Sequence, residues 1–171
     1  SFSLDGEDLI IDRLVGHRSK GFYVDVGACH PTRFSNTKMF YDRGWSGLNI
    51  EANSSLIADF RKKRPRDLTV NYGVGTESGT KDFFVMFPAT VSTFSLTFRD
   101  MNVSRGCKFL RAEKVEFLRL SEILERHLPP QTQIDFLSID AEGFDFDVLK
   151  SNDWKRFRPQ VVCIEMPTQY H

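Results

Sequence analysis

Apolar and polar positions along this chain switch repeatedly between helical and strand spacing. Residues 9, 10, 11, 14 and 15 are apolar, which predicts a helix from Asp8 to Val15. Gly16 and Gly21 bracket a break, and an apolar run predicts a first strand from Gly21 to Val26. Ser35-Asn36-Thr37 offers N-cap oxygens for a helix reaching Tyr41 or Asp42, with Gly44 as its stop. Ser46 to Glu51 reads as the second strand. Asn53 or Ser54 caps the next helix, which must end before Pro65. Leu68 to Val74 reads as a third strand, leading to Gly75.

Strand and helix alternate in this half at the spacing of right-handed parallel crossovers. After Gly75 the pattern changes. Lys81 to Phe87 and Lys114 to Leu120 read as strands separated by a loop rich in Ser, Thr and Phe, an antiparallel addition or cover. Ser121 caps a helix to about Leu128, which Pro129-Pro130 ends. Ile134 to Asp140 is nearly all apolar, as a parallel strand buried on both faces should be. A helix over Phe144 to Lys150 and a fifth core strand over Gln160 to Glu165 complete the pattern.

Two strand ends carry the most chemical information. Phe22-Tyr23-Val24-Asp25-Val26-Gly27-Ala28 is an apolar strand closing on an acid and a Gly turn. Asn49-Ile50-Glu51 ends the next strand on a carboxylate. Ligands of open α/β sheets sit outside the carboxyl ends of the strands. A Gly there admits close backbone approach, and an acid after the next strand can accept from both ribose hydroxyls. The pair therefore points to an adenosine-containing cofactor. Turn closure at Gly27 and a surface acid at Glu51 are the plain structural alternatives.

Composition narrows the partners. The 171 residues suffice for one domain, net charge is zero, and 27% of residues are charged. No strong field favours nucleic acid or an anionic membrane, and no apolar run approaches the roughly 20 residues of a bilayer span. No signal-peptide pattern opens the chain. Three widely spaced cysteines, Cys29, Cys107 and Cys163, argue for a reducing, cytoplasmic setting rather than a disulfide framework. Cys163 reads as an inert core thiol, and Cys29 as a buried one close to the Gly turn. Arg61-Lys62-Lys63-Arg64-Pro65-Arg66 reads as a solvated helix end whose cations complement the dipole. Trp45, Trp154 and most of the 16 Phe read as core.

In order along the chain, several segments resemble the FkbM-type methyltransferases. They are Asp8-Leu9-Ile10, the Gly21 to Ala28 strand and turn, His30-Pro31, Ser35-Asn36-Thr37, Gly44-Trp45-Ser46-Gly47-Leu48-Asn49-Ile50-Glu51 and Arg64-Pro65-Arg66-Asp67. Ile134 to Gly143, with its Asp140-Ala141-Glu142-Gly143, and Arg158-Pro159 follow. The resemblance implies a class I Rossmann-like fold and S-adenosylmethionine as cofactor. It implies a hydroxyl acceptor on a small molecule or glycan. Proteins similar to this one continue past the fifth strand with a helix and a further strand pair, so the sequence reads as C-terminally truncated or edge-covered by another subunit, a possible homo-oligomer.

Site residues follow from the same alignment of motifs. Asp25 falls near the cofactor's amino-acid portion, with a turn acid bonding backbone as the alternative. Gly27 and Ala28 lie against the cofactor, Glu51 at its ribose, and Gly73 and Val74 near its adenine. Asp140 and Glu142, after the fourth strand, face the reaction centre. Three readings compete: one of them as a general base for a substrate hydroxyl, both as a divalent-cation site with or without His30, or Glu142-Gly143 as the cap of the following helix. His30 is either a base beside the cofactor or a loop histidine bonding backbone. Ser92-Thr93 are positioned to line the pocket.

These readings combine into a single α/β methyltransferase domain over residues 1–171. It has a central parallel sheet of order 3-2-1-4-5 flanked by helices, an antiparallel insertion between strands 3 and 4, and no C-terminal strand pair. The expected activity is S-adenosylmethionine-dependent O-methylation, without a metal, nucleic acid or membrane partner. Two rivals stand beside it. One is a non-catalytic cofactor-binding module of the same fold. The other is an NAD-dependent oxidoreductase, against which Ala28-Cys29-His30-Pro31-Thr32 supplies no Gly-x-Gly-x-x-Gly cradle.

Overall fold

The structure is a computed structural model that describes residues 1–165. Its central sheet has five parallel strands: β1 (Phe22–Val26), β2 (Ser46–Ile50), β3 (Leu68–Val70), β7 (Phe136–Ile139) and β8 (Val161–Ile164). The order β3-β2-β1-β7-β8 is the expected 3-2-1-4-5. β1 lies at the centre, with Val24 beside Leu48 on one side and Leu137 on the other.

Alternation along these strands divides the core into two layers. Val24, Val26, Leu48, Ile50, Leu137 and Ile139 pack with Leu120, Ile123 and Leu124 of α5 (Leu120–His127) and Val148 of α6 (Asp145–Ser151). Tyr23 and Phe136 belong to the other layer, with Phe40 of α2 (Lys38–Arg43), Trp45, and Ile11 of α1 (Glu7–Leu14). Phe40 and Phe136 centre 4.7 Å apart. Trp45 is fully buried as expected, but Trp154 is 38% exposed and Cys163 only half-buried. No described helix is long and apolar enough to cross a membrane.

The third predicted strand breaks in two. β3 stops at Val70, where the Asn71 side chain donates to the carbonyls of Glu51 and Ala52, 2.8 Å each. Gly73–Val74 then form β4, which leaves the central sheet and pairs in parallel with β6 (Lys108–Leu118). β6 runs antiparallel to β5 (Gly79–Phe87), giving a second sheet of order β4-β6-β5. Both long strands exceed their predicted spans, and Leu120 begins α5 rather than ending a strand. The predicted loop between them contains a 3₁₀ turn, Ala89–Val91, and α4, Leu96–Ser104. Ser95 Oγ accepts from Phe98 N at 3.3 Å to cap α4.

Caps differ from expectation where side chains have stronger partners. Asn53 caps α3 (Ser54–Lys63), accepting from Ser55 N as predicted. Thr37 stands at the N-cap of α2, yet its hydroxyl donates to Asp25 Oδ2 at 2.8 Å instead. At α5 the cap falls to Arg119, whose N–H donates to Glu122 Oε2, while the Ser121 hydroxyl donates to the Ser151 carbonyl.

The basic run is also divided. Arg61, Lys62 and Lys63 are solvated, but Arg64 is fully buried. Its Nε donates to Asp67 Oδ2 at 2.8 Å, and Nη2 donates to Tyr23 Oη at 2.6 Å and Thr37 Oγ1 at 2.9 Å. A guanidinium presents several donors in a fixed plane, so one residue ties α3, β1 and the start of α2 together.

Candidate functional site

The ends of β1, β2 and β7 are knitted into one rim. Gly27 N donates to Ile50 O at 2.9 Å, and Asp140 N donates to Val26 O at 3.0 Å. Gly27 has φ of +76°, and a Cβ there would lie 1.7 Å from the Asp140 carbonyl oxygen. Glycine is required at this bend by backbone packing between strand ends, whatever ligand the bend also meets.

A pocket opens on this rim. Gly27, Glu51 and Asp140 contribute to its floor, with Tyr72, Gly73 and Val74 from the β3–β4 turn. The second sheet and its loop cover it with Phe83, Phe94, Ser92 and Thr93, and Phe144 closes the far side. Phe94 sits 4.8 Å from Phe83, 4.9 Å from Phe117 and 6.0 Å from Phe144, ring centre to ring centre. A Cβ on Gly73 would meet the Phe94 and Phe117 rings at 2.4 and 2.5 Å. That glycine makes room for the aromatic wall. Thr93 Oγ1 donates to the Glu142 carbonyl at 3.0 Å, tying the cover to the acidic side of the rim.

Glu51 is 6% exposed. One carboxylate oxygen accepts from Cys29 N at 2.7 Å and the other from Asn53 N at 2.6 Å. Burial nonetheless pushes its pKa up to about 7, against the pull of those two N–H groups. A carboxylate offers about four acceptor positions, so these N–H groups leave room for a ligand's hydroxyl. With the aromatic slot beside it, this donor set fits an adenosine-bearing cofactor.

An acidic cluster adjoins the pocket. Asp140, Glu142 and Glu165 have carboxylate oxygens all within 4.8 Å of one another. Enclosure by the site, then the neighbouring Glu165 and Glu142, pushes Asp140 up to about 9. Enclosure, then Glu165 and Asp145, pushes Glu142 up to about 7. Glu142 does not cap α6, whose N-terminus has no side-chain cap; Asp145, its first residue, instead accepts from Ala141 N at 2.8 Å and Gly143 N at 3.2 Å of the preceding loop. Glu142 itself has φ of +46°, a conformation few non-glycine residues adopt.

The predicted site residues thus divide. Gly27, Glu51, Gly73, Val74, Asp140 and Glu142 meet in one pocket, joined by Ser92 and Thr93. Asp25, Ala28 and His30 are not among its lining residues. Asp25 is buried on the Arg64 side of β1, where burial raises its pKa and Arg64 and Thr37 oppose the rise. Ala28 is 4% exposed, its N–H donating to Ile50 O. His30 Nδ1 accepts from Thr32 N at 3.1 Å and Arg33 N at 3.0 Å, and burial lowers its pKa. It organises its own loop. Cys29 does line the pocket, with its thiol pushed up to about 12 by burial and then by Glu51. Glu165, Tyr72, Phe83, Phe94 and Phe144 escaped the sequence reading. Glu165 obeys the rule that singled out Glu51 and Asp140, an acid closing an apolar strand. The aromatic residues carry no such local signal.

A family model described as the Methyltransferase FkbM domain matches residues 25–170. No curated protein and no solved structure matches the chain.

Proposed function

Since the chain belongs to the FkbM methyltransferase family, we propose that it transfers a methyl group from S-adenosylmethionine to a hydroxyl oxygen of a small molecule or glycan. The observation that carries this reading is that Glu51 and the Asp140–Glu142 pair line one and the same pocket. Glu51 holds the ribose diol, Tyr72, Val74 and the Phe83–Phe94 wall hold the base, and Asp140 and Glu142 face the acceptor. When bound, the cofactor supplies a sulfonium methyl group that an in-line oxygen nucleophile takes, leaving a neutral thioether.

The chain's own contribution is alignment and one proton. Holding two reactants in attack geometry can supply roughly 7–11 kcal/mol of the barrier. Glu142, titrating at about 7, takes the acceptor hydroxyl's proton. Asp140, pushed up by burial and by its hydrogen bond with Glu165, shares a proton with that carboxylate and is not the base. The three free thiols among the described residues fit a reducing compartment such as the cytoplasm.

Two measurements test the reading. Calorimetry with S-adenosylhomocysteine should give a single site, and NAD should give none. Labelled S-adenosylmethionine should then deliver its methyl to hydroxylated metabolites or glycans. Absence of S-adenosylhomocysteine binding removes the cofactor assignment. Binding without transfer to any acceptor across such a panel favours the non-catalytic module.

A further inference from the structure

Beside the pocket lies a second, larger cavity of about 620 Å³, and Phe34, Thr90, Asp140 and Glu142 belong to the walls of both. A molecule seated in it stands next to whatever fills the first pocket, and at the base assigned above. Its polar lining has one sign. Asp140, Glu142 and Glu165 come from the strand ends, and Asp5 and Glu7 come from the N-terminal segment. Among the described residues no lysine, arginine or histidine lines it. Asn36 and Thr90 add neutral hydrogen-bonding groups.

The N-terminal wall is built rather than draped. Asp8 is fully buried and accepts from Phe2 N at 2.7 Å, Ser1 Oγ at 2.7 Å and Ser3 Oγ at 2.9 Å. Ser35 N donates to Phe2 O at 3.1 Å, fastening the segment to the loop before α2. Asp5 N donates to Glu7 Oε2 at 3.1 Å, which orients that carboxylate. Glu7 is thereby held at the cavity wall, where Asp5 and the three strand-end acids join it.

Resting on the methyl-transfer reading above, we infer that this cavity is the acceptor chamber and that its acceptor carries a protonated amine near the hydroxyl to be methylated. Acids gathered with no counter-cation among the lining residues offer acceptors of one charge sign, which an ammonium meets with charge-assisted hydrogen bonds. A phosphate or carboxylate would meet five acids and no cation. An ammonium so held has no lone pair to attack with, so the neighbouring hydroxyl stays the nucleophile. The acceptor class is a cationic amino alcohol or amino sugar, not a phosphorylated or acidic sugar.

Three pyranoses of similar size and different charge test this: glucosamine, N-acetylglucosamine and glucuronic acid. Binding is read by ligand-observed NMR, with and without S-adenosylhomocysteine. Glucosamine should bind at least about tenfold tighter than the other two, the reach of one charge-assisted hydrogen bond. The double variant D5K/E7K should abolish that preference and leave S-adenosylhomocysteine affinity unchanged, with D5N/E7Q intermediate. The inference is overturned by equal or reversed ranking of the three sugars, by no detectable glucosamine binding, or by indifference to the charge reversal. It also falls if glucosamine binds only when Mn²⁺ is present, which would make the acid cluster a metal site. Failure of S-adenosylhomocysteine to bind, with the sugar ranking intact, falls instead on the cofactor assignment.

Discussion

Glu51 at the end of β2 accepts the backbone N–H of Cys29, beyond the end of β1, at 2.7 Å. The same carboxylate reaches forward to Asn53 N at 2.6 Å. The acid that would grip a ligand's diol also fixes the two loops that frame it. Cys29 has φ of +48°, and this bond helps hold it there. Binding capacity and loop geometry are thus coupled in one buried side chain.

Removing that carboxylate should therefore cost affinity and order together. Glu51→Ala is expected to weaken S-adenosylhomocysteine by about 1.5–3 kcal/mol, the scale of hydrogen bonds to a charged group. Glu51→Gln keeps one acceptor and should fall between. Because Glu51 titrates at about 7, wild-type affinity should rise from acid toward neutral pH, and binding should release a proton. Calorimetry in buffers of different ionisation enthalpy checks the proton count. A pH-independent affinity would count against the diol role.

Glu142 makes the kinetic prediction. A carboxyl pushed up to about 7 is protonated below that pH and cannot accept a proton. Turnover should climb with pH to about 7 and level off above it. Glu142→Gln should lower kcat by about 10²–10⁴-fold and flatten the climb, with cofactor affinity unchanged. His30→Ala should leave the pH profile as it was, since that ring is occupied with Thr32 N and Arg33 N.

The parts of the fold that were legible in the sequence are those where periodicity and burial agree. Val24, Val26, Leu137 and Ile139 sit in strands whose apolar runs announced them, and the order of the sheet is the one the resemblance to FkbM-type methyltransferases implies. The helix α4 was hidden because Thr97, Phe98 and Val103 favour strands, and Asn102 is its one buried residue. The break at Asn71 depends on a side chain reaching Glu51 and Ala52 carbonyls, which no local pattern reveals. In the site, strand-end acids were readable because an acid after an apolar run is conspicuous. Asp25 obeyed the same rule, yet its side chain belongs to the opposite face, where Thr37 and Arg64 meet it. Alternation decides the face, and Asp25 shares it with Tyr23 rather than with Val26.

Arg64 gives a stability prediction. Its side chain is wholly buried, as is that of its partner Asp67. Asp67 also accepts from Gly47 N and Asn49 Nδ2 at 2.9 Å each and from Tyr23 Oη at 2.8 Å. Arg64→Met leaves the Asp67 carboxylate buried without its cation and should cost about 3–5 kcal/mol. Urea denaturation measures the loss directly. A change under about 1 kcal/mol would mean that the carboxylate is satisfied by its neutral donors alone.

The acidic rim should also set how stability varies with pH. Glu51, Glu142 and Asp140 carry pKa values raised to about 7, 7 and 9, above the ordinary 4.5, 4.5 and 3.8. Between the ordinary and the raised values the folded protein binds more protons than the unfolded chain, so stability falls as pH rises through that window. Asp12 acts in the opposite sense. Its hydrogen bond from Arg43 holds it down to about 2, so its contribution is present above 3.8 and lost as pH falls toward 2. The unliganded protein should be most stable at about pH 4–5 and lose stability steadily toward about pH 9. The urea midpoint across that range checks the slope, and the double variant D140N/E142Q should flatten it. A midpoint that rises toward alkaline pH would mean that the rim carboxylates are ionised and paired in the folded protein. Their crowding would then no longer be available to select a cation.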